Sequence, residues 1–223
     1  MQARVILDIE TLAFPLDSFD DARQKYLLKF AETEEERIET IQKLSLYPTT
    51  AQIIAIGMLN PDTNGGKVLF QSDEKIDEFS KDEAIHYVTG SEKEMMTQFW
   101  EDVRKYDQFI TFNGRGFDCP FLMLRSAILE VKPTRNLMPY RYDSSVHCDL
   151  LDQFTFYGAF RKFSLDFYCK SFGIDSPKSH GITGLDMHAL SEQKRFRDIA
   201  EYCLGDLRAT AELFRRWEKY LAF

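Results

Sequence analysis

The stretch VILDIET, residues 5–11, places two acidic residues inside a segment that otherwise has the composition of a buried strand. Asp8 and Glu10 are separated only by Ile9. Because residues i and i+2 of a strand point to the same face, the two carboxylates are predicted to project together. Buried neighbouring like charges are unfavourable unless cations compensate them, and hard divalent cations such as magnesium accept oxygen ligands of this kind. The segment therefore indicates a metal site.

Strand-like and helix-like segments are interspersed along the rest of the chain, with a hairpin-like run of strands first. This order predicts a mixed α/β sheet in one domain, residues 1–223. The predicted strands lie at 3–9, 49–59, 67–71 and 108–113, with a short one near 147. The predicted helices begin near residues 91, 120, 150, 163 and 191, and residues 130–146 and 174–190 are expected to be irregular.

A charged, helix-prone segment directly follows the first strand and is interpreted as a helical insertion over residues 14–48. One or two exposed helices are expected within residues 17–46. Their inward side is predicted to consist of six residues: Tyr26, Leu27, Phe30, Ile38, Ile41 and Leu44. Its position directly after the acidic strand suggests that the insertion borders the site that Asp8 and Glu10 form. A decorative helix pair or a dimer contact is an equally open interpretation.

The bulk composition excludes several classes of protein. A net charge of −8 argues against coating of nucleic acid by a broad basic face. The four cysteines contain no C-x-x-C pair, so zinc is a poor interpretation and reduced core cysteines are expected. No membrane-helix run or signal-peptide pattern is found. We therefore expect a cytoplasmic protein with no membrane partner.

Two further segments carry acids in suggestive places. Asp118 stands in TFNGRGFDCPFL, at the junction of a predicted strand and helix, where a helix cap is the simpler explanation taken alone. Tyr202 and Asp206 stand in EYCLGDLRATAEL, four residues apart on one side of the last predicted helix. Taken alone, an ordinary packing tyrosine and a surface aspartate explain that pair as well.

Together these segments resemble one family. DIET, NGRGFD and YCLGD, in this order, resemble the three motifs of the DEDD 3′–5′ exonucleases, and the tyrosine four residues before the last acid is typical of the DEDDy branch. The flanking segments, including HCDLLD, are similar to the proofreading exonuclease domain of family B DNA polymerases and its stand-alone bacterial relatives. The resemblance spans nearly the whole chain and implies a ribonuclease H-like fold. A free-standing exonuclease is expected.

The resemblance implies roles for five residues. Asp8, Glu10, Asp118 and Asp206 would hold two divalent metal ions, Mg²⁺ or Mn²⁺, and Tyr202 would orient the attacking water. The implied reaction removes nucleoside 5′-monophosphates from the 3′ end of single-stranded nucleic acid, with DNA favoured over RNA.

Other residues are weaker candidates. Thr11 and Leu12 would meet the terminal nucleotide, and Asn113 and Phe117 match family positions that touch the substrate. Core packing explains Phe117 equally well. Neither His147 nor His188 is expected to be catalytic, since the tyrosine already fills that place.

Basic residues occur in local groups that could line a backbone groove, although a solvated face explains any single one of them. They are Arg161, Lys162, Lys170, Lys178, His180, Lys194, Arg195 and Arg197.

Two competing interpretations remain open. The chain could be a catalytically inactive nucleic-acid-binding module with the same fold, although all four acids and the tyrosine are present. It could also be a purely structural domain in which arginines neutralise Asp8 and Glu10, which would require several coincidences.

Overall fold

The structure is a computed structural model, which describes residues 2–175 and 184–222. Its strands are β1 (Arg4–Ala13), β2 (Ala51–Leu59), β3 (Gly66–Phe70), β4 (Asp77–Phe79), β5 (Ile85–Thr89), β6 (Gln108–Thr111) and β7 (His147–Asp149). They form one seven-stranded sheet in the order β4-β5-β3-β2-β1-β6-β7. Strands β1, β2 and β3 pair antiparallel, while β6 and β7 extend the sheet in parallel from β1.

The helices of the described residues pack on both faces of this sheet. They are α1 (Asp21–Leu27), α2 (Glu34–Lys43), α3 (Glu92–Asp102), α4 (Asp118–Ile128), α5 (Leu150–Phe154), α6 (Leu165–Phe172), α7 (Met187–Glu192) and α8 (Phe196–Tyr220). On one face of the sheet, helix α8 lies across β1, β2 and β3, and α5, α6 and α7 pack against α8. Helices α3 and α4 cover the opposite face. This arrangement confirms the predicted α/β class and is consistent with the ribonuclease H-like fold.

Alternation along β1 assigns its side chains to the two cores. Val5, Leu7 and Ile9 lie in the core beneath α3 and α4, whereas Ile6 lies in the core beneath α8. Asp8 and Glu10 continue the α8 side. The register of β1 against β2 shifts between Glu10 and Thr11, which is a β-bulge. Such a bulge re-aims the side chains that follow it.

Several predicted segments differ from the structure. Strands β4 and β5 were not predicted, because the short, charged segment of β4 carries little periodic signal. Part of the region expected to be irregular is helical in α7, and residues 176–183 lie outside the described residues. The last helix begins at Phe196 rather than near Ser191, because Lys194 adopts a left-handed φ of 56° that separates α7 from α8.

The insertion contains two helices, α1 and α2, but the predicted inward side is wrong in part. Leu44 is buried, whereas Tyr26, Phe30 and Ile38 are 77%, 84% and 51% exposed. These helices are short and lie on the surface. The three hydrophobic residues have helical spacing but contact no core, so they stay exposed. Thr33 begins α2 with a reciprocal capping box to Glu36, which stabilises its first turn locally.

A buried ion pair anchors the base of the insertion. The Arg125 guanidinium in α4 donates to the Glu92 carboxylate in α3 at 2.8 Å, and both side chains are buried. Glu92 also accepts the backbone N–H of Ile53, and Arg125 donates to the Pro48 carbonyl. The guanidinium carbon of Arg125 also lies 5.5 Å from the ring centroid of Phe14. Both ends of the insertion therefore contact one paired arginine.

The four cysteines lie in the core, as the sequence predicts. Cys119, Cys148, Cys169 and Cys203 are all free and buried. None of the helices in the described residues combines the length and the apolar character needed to cross a bilayer.

Candidate active site

The acids of β1 lie at the centre of the candidate site. Ligand atoms of Asp8, Glu10 and Cys203 lie within 4.8 Å of one another, although the two acids come from β1 and the cysteine from α8. The Cys203 thiol also faces the backbone carbonyl of Asp8 at 3.8 Å. Helix α8 therefore runs directly over the acidic part of β1.

A glycine permits this close approach. Gly57 pairs with Asp8 across β1 and β2. A Cβ atom at Gly57 would lie 2.5 Å from Leu207 Cδ1 and 2.8 Å from Cys203 Sγ, both in α8. Real Cβ atoms essentially never come so close to another heavy atom. A larger residue would therefore push α8, and with it Tyr202, away from the β1 acids.

Asp118 is held against β1 by the backbone. It is the first residue of α4, and its Oδ1 accepts the Ile9 N–H at 3.0 Å. Strand β6 pairs with β1 only from Arg4 to Ile6, so this N–H lies beyond the β-ladder on that side. The carboxylate supplies the acceptor that the sheet does not provide, and it lies next to the two β1 acids.

The loop between β6 and α4 is fixed by a different acid. Asp149, at the end of β7, accepts the backbone N–H groups of Asn113, Arg115 and Leu151 at 2.8–3.0 Å. Asn113 has a left-handed φ of 63°. A Cβ atom at Gly114 would lie 2.4 Å from Thr111. The NGRG segment is thus a tight turn whose geometry places Asp118.

The four acids repel one another in a buried setting. Burial, then the charges of Asp118, Asp206 and Glu10, raise the pKa of Asp8 well above its usual range. Burial, then the charges of Asp206 and Asp118, do the same to the pKa of Glu10. Burial raises the pKa of Asp118 to about 7, although backbone N–H donors oppose this. Asp206 thus acts on the other three groups from α8.

The charges of the acids also act on Tyr202. Its hydroxyl is hydrogen-bonded to the Asp206 carboxylate, one helical turn further along α8. Burial, followed by the charges of Asp206, Glu10 and Asp8, raises the pKa of Tyr202 well above its ordinary value. The hydroxyl therefore keeps its proton at neutral pH and serves as a hydrogen-bond donor.

The donor set fits a hard cation. Among the described residues, no lysine, arginine or histidine forms an ion pair with Asp8, Glu10 or Asp118, so no side chain compensates their charges. This excludes the structural interpretation in which arginines neutralise Asp8 and Glu10. Carboxylate oxygens converging without a protein cation are typical ligands of Mg²⁺ or Mn²⁺. Burial, followed by the charges of the acids, raises the pKa of the Cys203 thiol, which disfavours the thiolate that soft metals require.

A cleft opens beside these acids, with the insertion as one wall. Its volume is about 520 Å³, and Glu10, Thr11 and Phe117 line one side while Gln42 and Lys43 line the other. A neighbouring cavity of about 460 Å³ shares Thr11 and Gln42 and extends between the insertion and α7. The candidate site is therefore continuous with a larger, mainly apolar space.

The predicted substrate contacts lie around this cleft in different ways. Phe117 lines the cleft, with its ring centroid 5.4 Å from that of Phe121. Leu12 lines the neighbouring cavity and also packs on the core. The Thr11 hydroxyl donates to the Ser45 carbonyl at 2.8 Å, so it ties β1 to the insertion. Asn113 is partly buried in the turn described above. Their substrate roles stay predictions.

The histidines occupy ordinary positions. His147 is fully buried between the Leu137 carbonyl at 3.0 Å and the Thr111 hydroxyl at 2.9 Å. Burial lowers the pKa of His147 to about 4, which keeps the ring neutral. His188 is exposed in α7 beside Glu192. Neither histidine forms part of the acidic cluster.

Four of the eight basic residues singled out in the sequence form ion pairs with nearby acids. Lys170, Lys194 and Arg195 pair with nearby aspartates, and Arg197 pairs with two glutamates. Lys178 and His180 lie outside the described residues. Within residues 2–175 and 184–222, no ion pair involves Arg161 or Lys162, so these two are the basic candidates that stay available to a partner.

Sequence reasoning did not identify three residues that shape the site. Gly57 appears in the sequence only as a glycine within a strand, which is a recognised sign of close backbone approach. Asp149 ends a short strand before a helix, a position that could have suggested a cap. Cys203 follows Tyr202 directly, and no sequence signal distinguishes it from an ordinary core cysteine.

Comparisons with known proteins extend this description. Residues 49–222 match the profile of a family described as a predicted 3′–5′ exonuclease related to the exonuclease domain of PolB. The chain is similar to DNA polymerase 1 of Sulfolobus acidocaldarius, with 24% identity over 177 residues, covering 74% of this chain and 20% of the polymerase. It is also similar to a DNA polymerase of Methanocaldococcus jannaschii, with 29% identity over 166 residues, covering 68% of this chain and 10% of the polymerase. The chain thus spans a fifth or less of these relatives.

The electrostatics of Asp118 predict a pH dependence of stability in metal-free protein. An unfolded aspartate titrates near pH 4, whereas the pKa of Asp118 in the folded protein is about 7. The folded state therefore holds an extra proton between these values, and this contribution to stability is lost as the pH rises through 7. We expect Asp118→Asn to raise the melting temperature at about pH 8, by roughly 2–4 °C per kcal/mol relieved, and to change it little near pH 4.

Thermal unfolding in the presence of a chelator measures this effect. The matched control is Asp102→Asn, which removes an acid that is paired with Lys67 and should give no gain at high pH. A difference between Asp118→Asn and the unmodified chain that does not change with pH would contradict the assignment.

Proposed function

This chain belongs to the family of predicted 3′–5′ exonucleases related to the exonuclease domain of PolB, and from that premise we propose that it is a metal-dependent 3′–5′ exonuclease. It would remove nucleoside 5′-monophosphates from the 3′ end of a single strand. DNA is the favoured substrate, because the curated relatives named above are DNA polymerases.

One observation carries this proposal. Carboxylates from β1, from the start of α4 and from α8 act on one another electrostatically in a buried setting, beside an open cleft. A protein with no use for such a cluster would gain stability by losing it, because each buried like charge raises the free energy of the folded state. The arrangement supports a site that binds divalent cations.

In the proposed mechanism, Asp8, Glu10, Asp118 and Asp206 hold two divalent ions, for which Mg²⁺ or Mn²⁺ are the candidates. When bound, such a pair would neutralise the phosphodiester, activate the attacking water and stabilise the charge that develops in an in-line displacement. The protein's own task is to fix the acids: the Ile9 N–H orients Asp118, and Cys203 packs against Asp8. Rigid placement of this kind lowers the reorganisation needed during reaction.

Tyr202 would orient the attacking water rather than remove its proton. The raised pKa keeps the hydroxyl protonated, and α8 places it beside Asp206. Because the hydroxyl proton is donated to Asp206, the hydroxyl oxygen would accept a hydrogen bond from the attacking water and so fix its direction. The proton of that water would pass to solvent or to a carboxylate of the cluster.

The acids test the proposal directly. Asp8→Asn keeps the side-chain volume but removes one charge, and we expect 3′–5′ cleavage of end-labelled single-stranded DNA to be abolished in Mg²⁺. Asp8→Ala, Glu10→Ala, Asp118→Ala and Asp206→Ala should each have the same effect. Millimolar Mg²⁺ or Mn²⁺ should raise the melting temperature of the unmodified chain and not that of the Asp8→Asn variant, since a bound ligand stabilises the folded state.

Asp102→Asn serves as the control for removal of an acid outside the site and should cleave normally. Substantial cleavage by the Asp8→Asn variant would contradict the proposal. A metal-induced rise in melting temperature without cleavage by the unmodified chain would favour the inactive binding module instead.

The role of Tyr202 has a separate test. Tyr202→Phe keeps the ring packing and removes only the hydroxyl, so we expect kcat to fall by about 100-fold or less while the KM changes little. Because the hydroxyl stays protonated, the slope of activity against pH above about pH 8 should be the same in both proteins. An activity that rises with pH in the unmodified chain and is flat in the variant would instead identify Tyr202 as a base.

We further propose that the chain is a single exonuclease domain in which residues 14–48 select single-stranded ends. The insertion is fastened to β1 through Thr11 and Ser45, and its residues Gln42 and Lys43 face Glu10 across the cleft. A wall at this point would narrow the entrance and favour a single strand over a duplex.

Widening the cleft tests this proposal. Gln42→Ala combined with Lys43→Ala, and more drastically deletion of residues 17–46, should increase cleavage of blunt and recessed duplex ends relative to single strands. Ile38→Ser, an exposed change on α2 outside the residues that line the cleft, is the control. An unchanged preference in folded protein would refute the proposal.

A further inference from the structure

A group of exposed aromatic rings lies on one segment that the proposed mechanism does not use. Phe156, Phe160 and Phe167 are 59%, 64% and 50% exposed. The rings of Phe163 and Phe167 are stacked, with centroids 4.3 Å apart and planes inclined by 13°. The rings of Phe156 and Phe160 are 6.0 Å apart. Contiguous apolar surface of this kind marks an interaction site in a soluble protein. We call residues 156–167 the aromatic segment.

The backbone holds this segment in an unfavourable conformation. Phe156 and Tyr157 have φ values of 48° and 58°, and Gly158 follows with 98°. A non-glycine residue in the left-handed region is strained, because its Cβ atom crowds the backbone. The turn is fixed by hydrogen bonds from the Tyr157 N–H to the Asp152 carbonyl at 2.7 Å and from the Gly158 N–H to the Thr155 carbonyl at 3.1 Å. An ordered, strained turn that exposes phenylalanine suggests a functional constraint.

Two cations accompany the rings. Arg161 lies with its guanidinium carbon 5.2 Å from the centroid of Phe163, and Lys162 follows it in the chain. Neither of them forms an ion pair within the parts of the chain that the structure describes. In a protein with a net charge of −8, this is a local positive patch. Aromatic faces next to free cations are the combination that binds single-stranded nucleic acid.

The aromatic segment is continuous with the candidate active site. Phe163 contacts Tyr168 at 6.3 Å between centroids, and Tyr168 contacts Phe112 at 5.7 Å. Phe112 directly precedes the NGRG turn that leads to Asp118. Helix α6 also packs on α8, and the charge of Asp206 contributes to a raised pKa of the Cys169 thiol in α6. These contacts link the aromatic segment to the turn that leads to Asp118 and to the helix that carries Asp206.

We propose that the aromatic segment binds the part of a single-stranded nucleic acid that lies 5′ of the nucleotide being removed. Bases would stack on the exposed rings of Phe160 and Phe167, and phosphates would pair with Arg161 and Lys162. This inference rests on the proposed exonuclease function and extends it with a second binding surface. Stacking tolerates any base, so the surface would hold the strand without sequence preference.

Strand length distinguishes this surface from the cleft. The test measures binding of labelled single-stranded DNA by fluorescence anisotropy in the presence of a chelator, which prevents cleavage. A trinucleotide reaches only the cleft, whereas an oligonucleotide of about 15 nucleotides covers both surfaces. We expect Phe160→Ser with Phe167→Ser, and separately Arg161→Gln with Lys162→Gln, to weaken binding of the longer strand about 10-fold or more. Affinity for the trinucleotide and its cleavage rate in Mg²⁺ should be unchanged.

The chain offers a matched control at the far end of α8. Lys219 lies 5.1 Å from the ring centroid of Tyr220, which is 61% exposed, so the pair has the same chemistry. Tyr220 is fourteen residues beyond Asp206 in one helix, or about 21 Å along its axis. Lys219→Gln with Tyr220→Ser should leave binding of both lengths unchanged.

The outcomes separate the two proposals. If the unmodified chain cleaves DNA and the aromatic-segment variants bind the longer strand normally, the inference is overturned and the exonuclease function stands. Variants that change only the oligomeric state, measured by sedimentation, would assign the surface to a second copy and also overturn it. If the unmodified chain neither cleaves nor binds either strand, the proposed function fails and the inference fails with it.

Discussion

Mutual repulsion among buried carboxylates is the constraint on which the rest of this structure depends. Asp8 and Glu10 are forced onto one face by the period of β1, and α8 and α4 add Asp206 and Asp118 to the same region. Bringing these charges together in an apolar environment raises the free energy of the folded state. The surrounding fold supplies the compensation through close, specific contacts: Gly57 lets α8 approach the sheet, and the Ile9 N–H holds Asp118. The site is therefore assembled at a cost in stability that the two large cores offset.

Local periodicity explains how much of this could be predicted from sequence. The alternation in β1 and the four-residue spacing of Tyr202 and Asp206 are short-range patterns, and the structure shows both of them. Features that depend on pairing were not predictable in this way. The bulge after Glu10 arises from the register of β2 against β1.

The exposure of hydrophobic side chains in the insertion could not be predicted from the sequence either. Tyr26 and Phe30 have the spacing of an inward face, yet the helices that carry them meet no large apolar surface to cover those rings. Similarly, the break at Lys194 between α7 and α8 involves no glycine or proline, so the pattern merged two helices into one. Tertiary packing decided these points, because burial depends on neighbours that are distant in the chain.

The negative charge of the site opposes the binding of a polyanion. Before cations enter, the cluster repels a phosphodiester, and the net charge of −8 extends that repulsion over the surface. Binding energy that does not depend on the metal must therefore come from uncharged contacts or from cations outside the cluster. The cleft offers mainly apolar walls, and the aromatic segment offers rings together with Arg161 and Lys162. Under the proposed function, such a division would place affinity on one surface and chemistry on another, so that the acids could be arranged for cations alone.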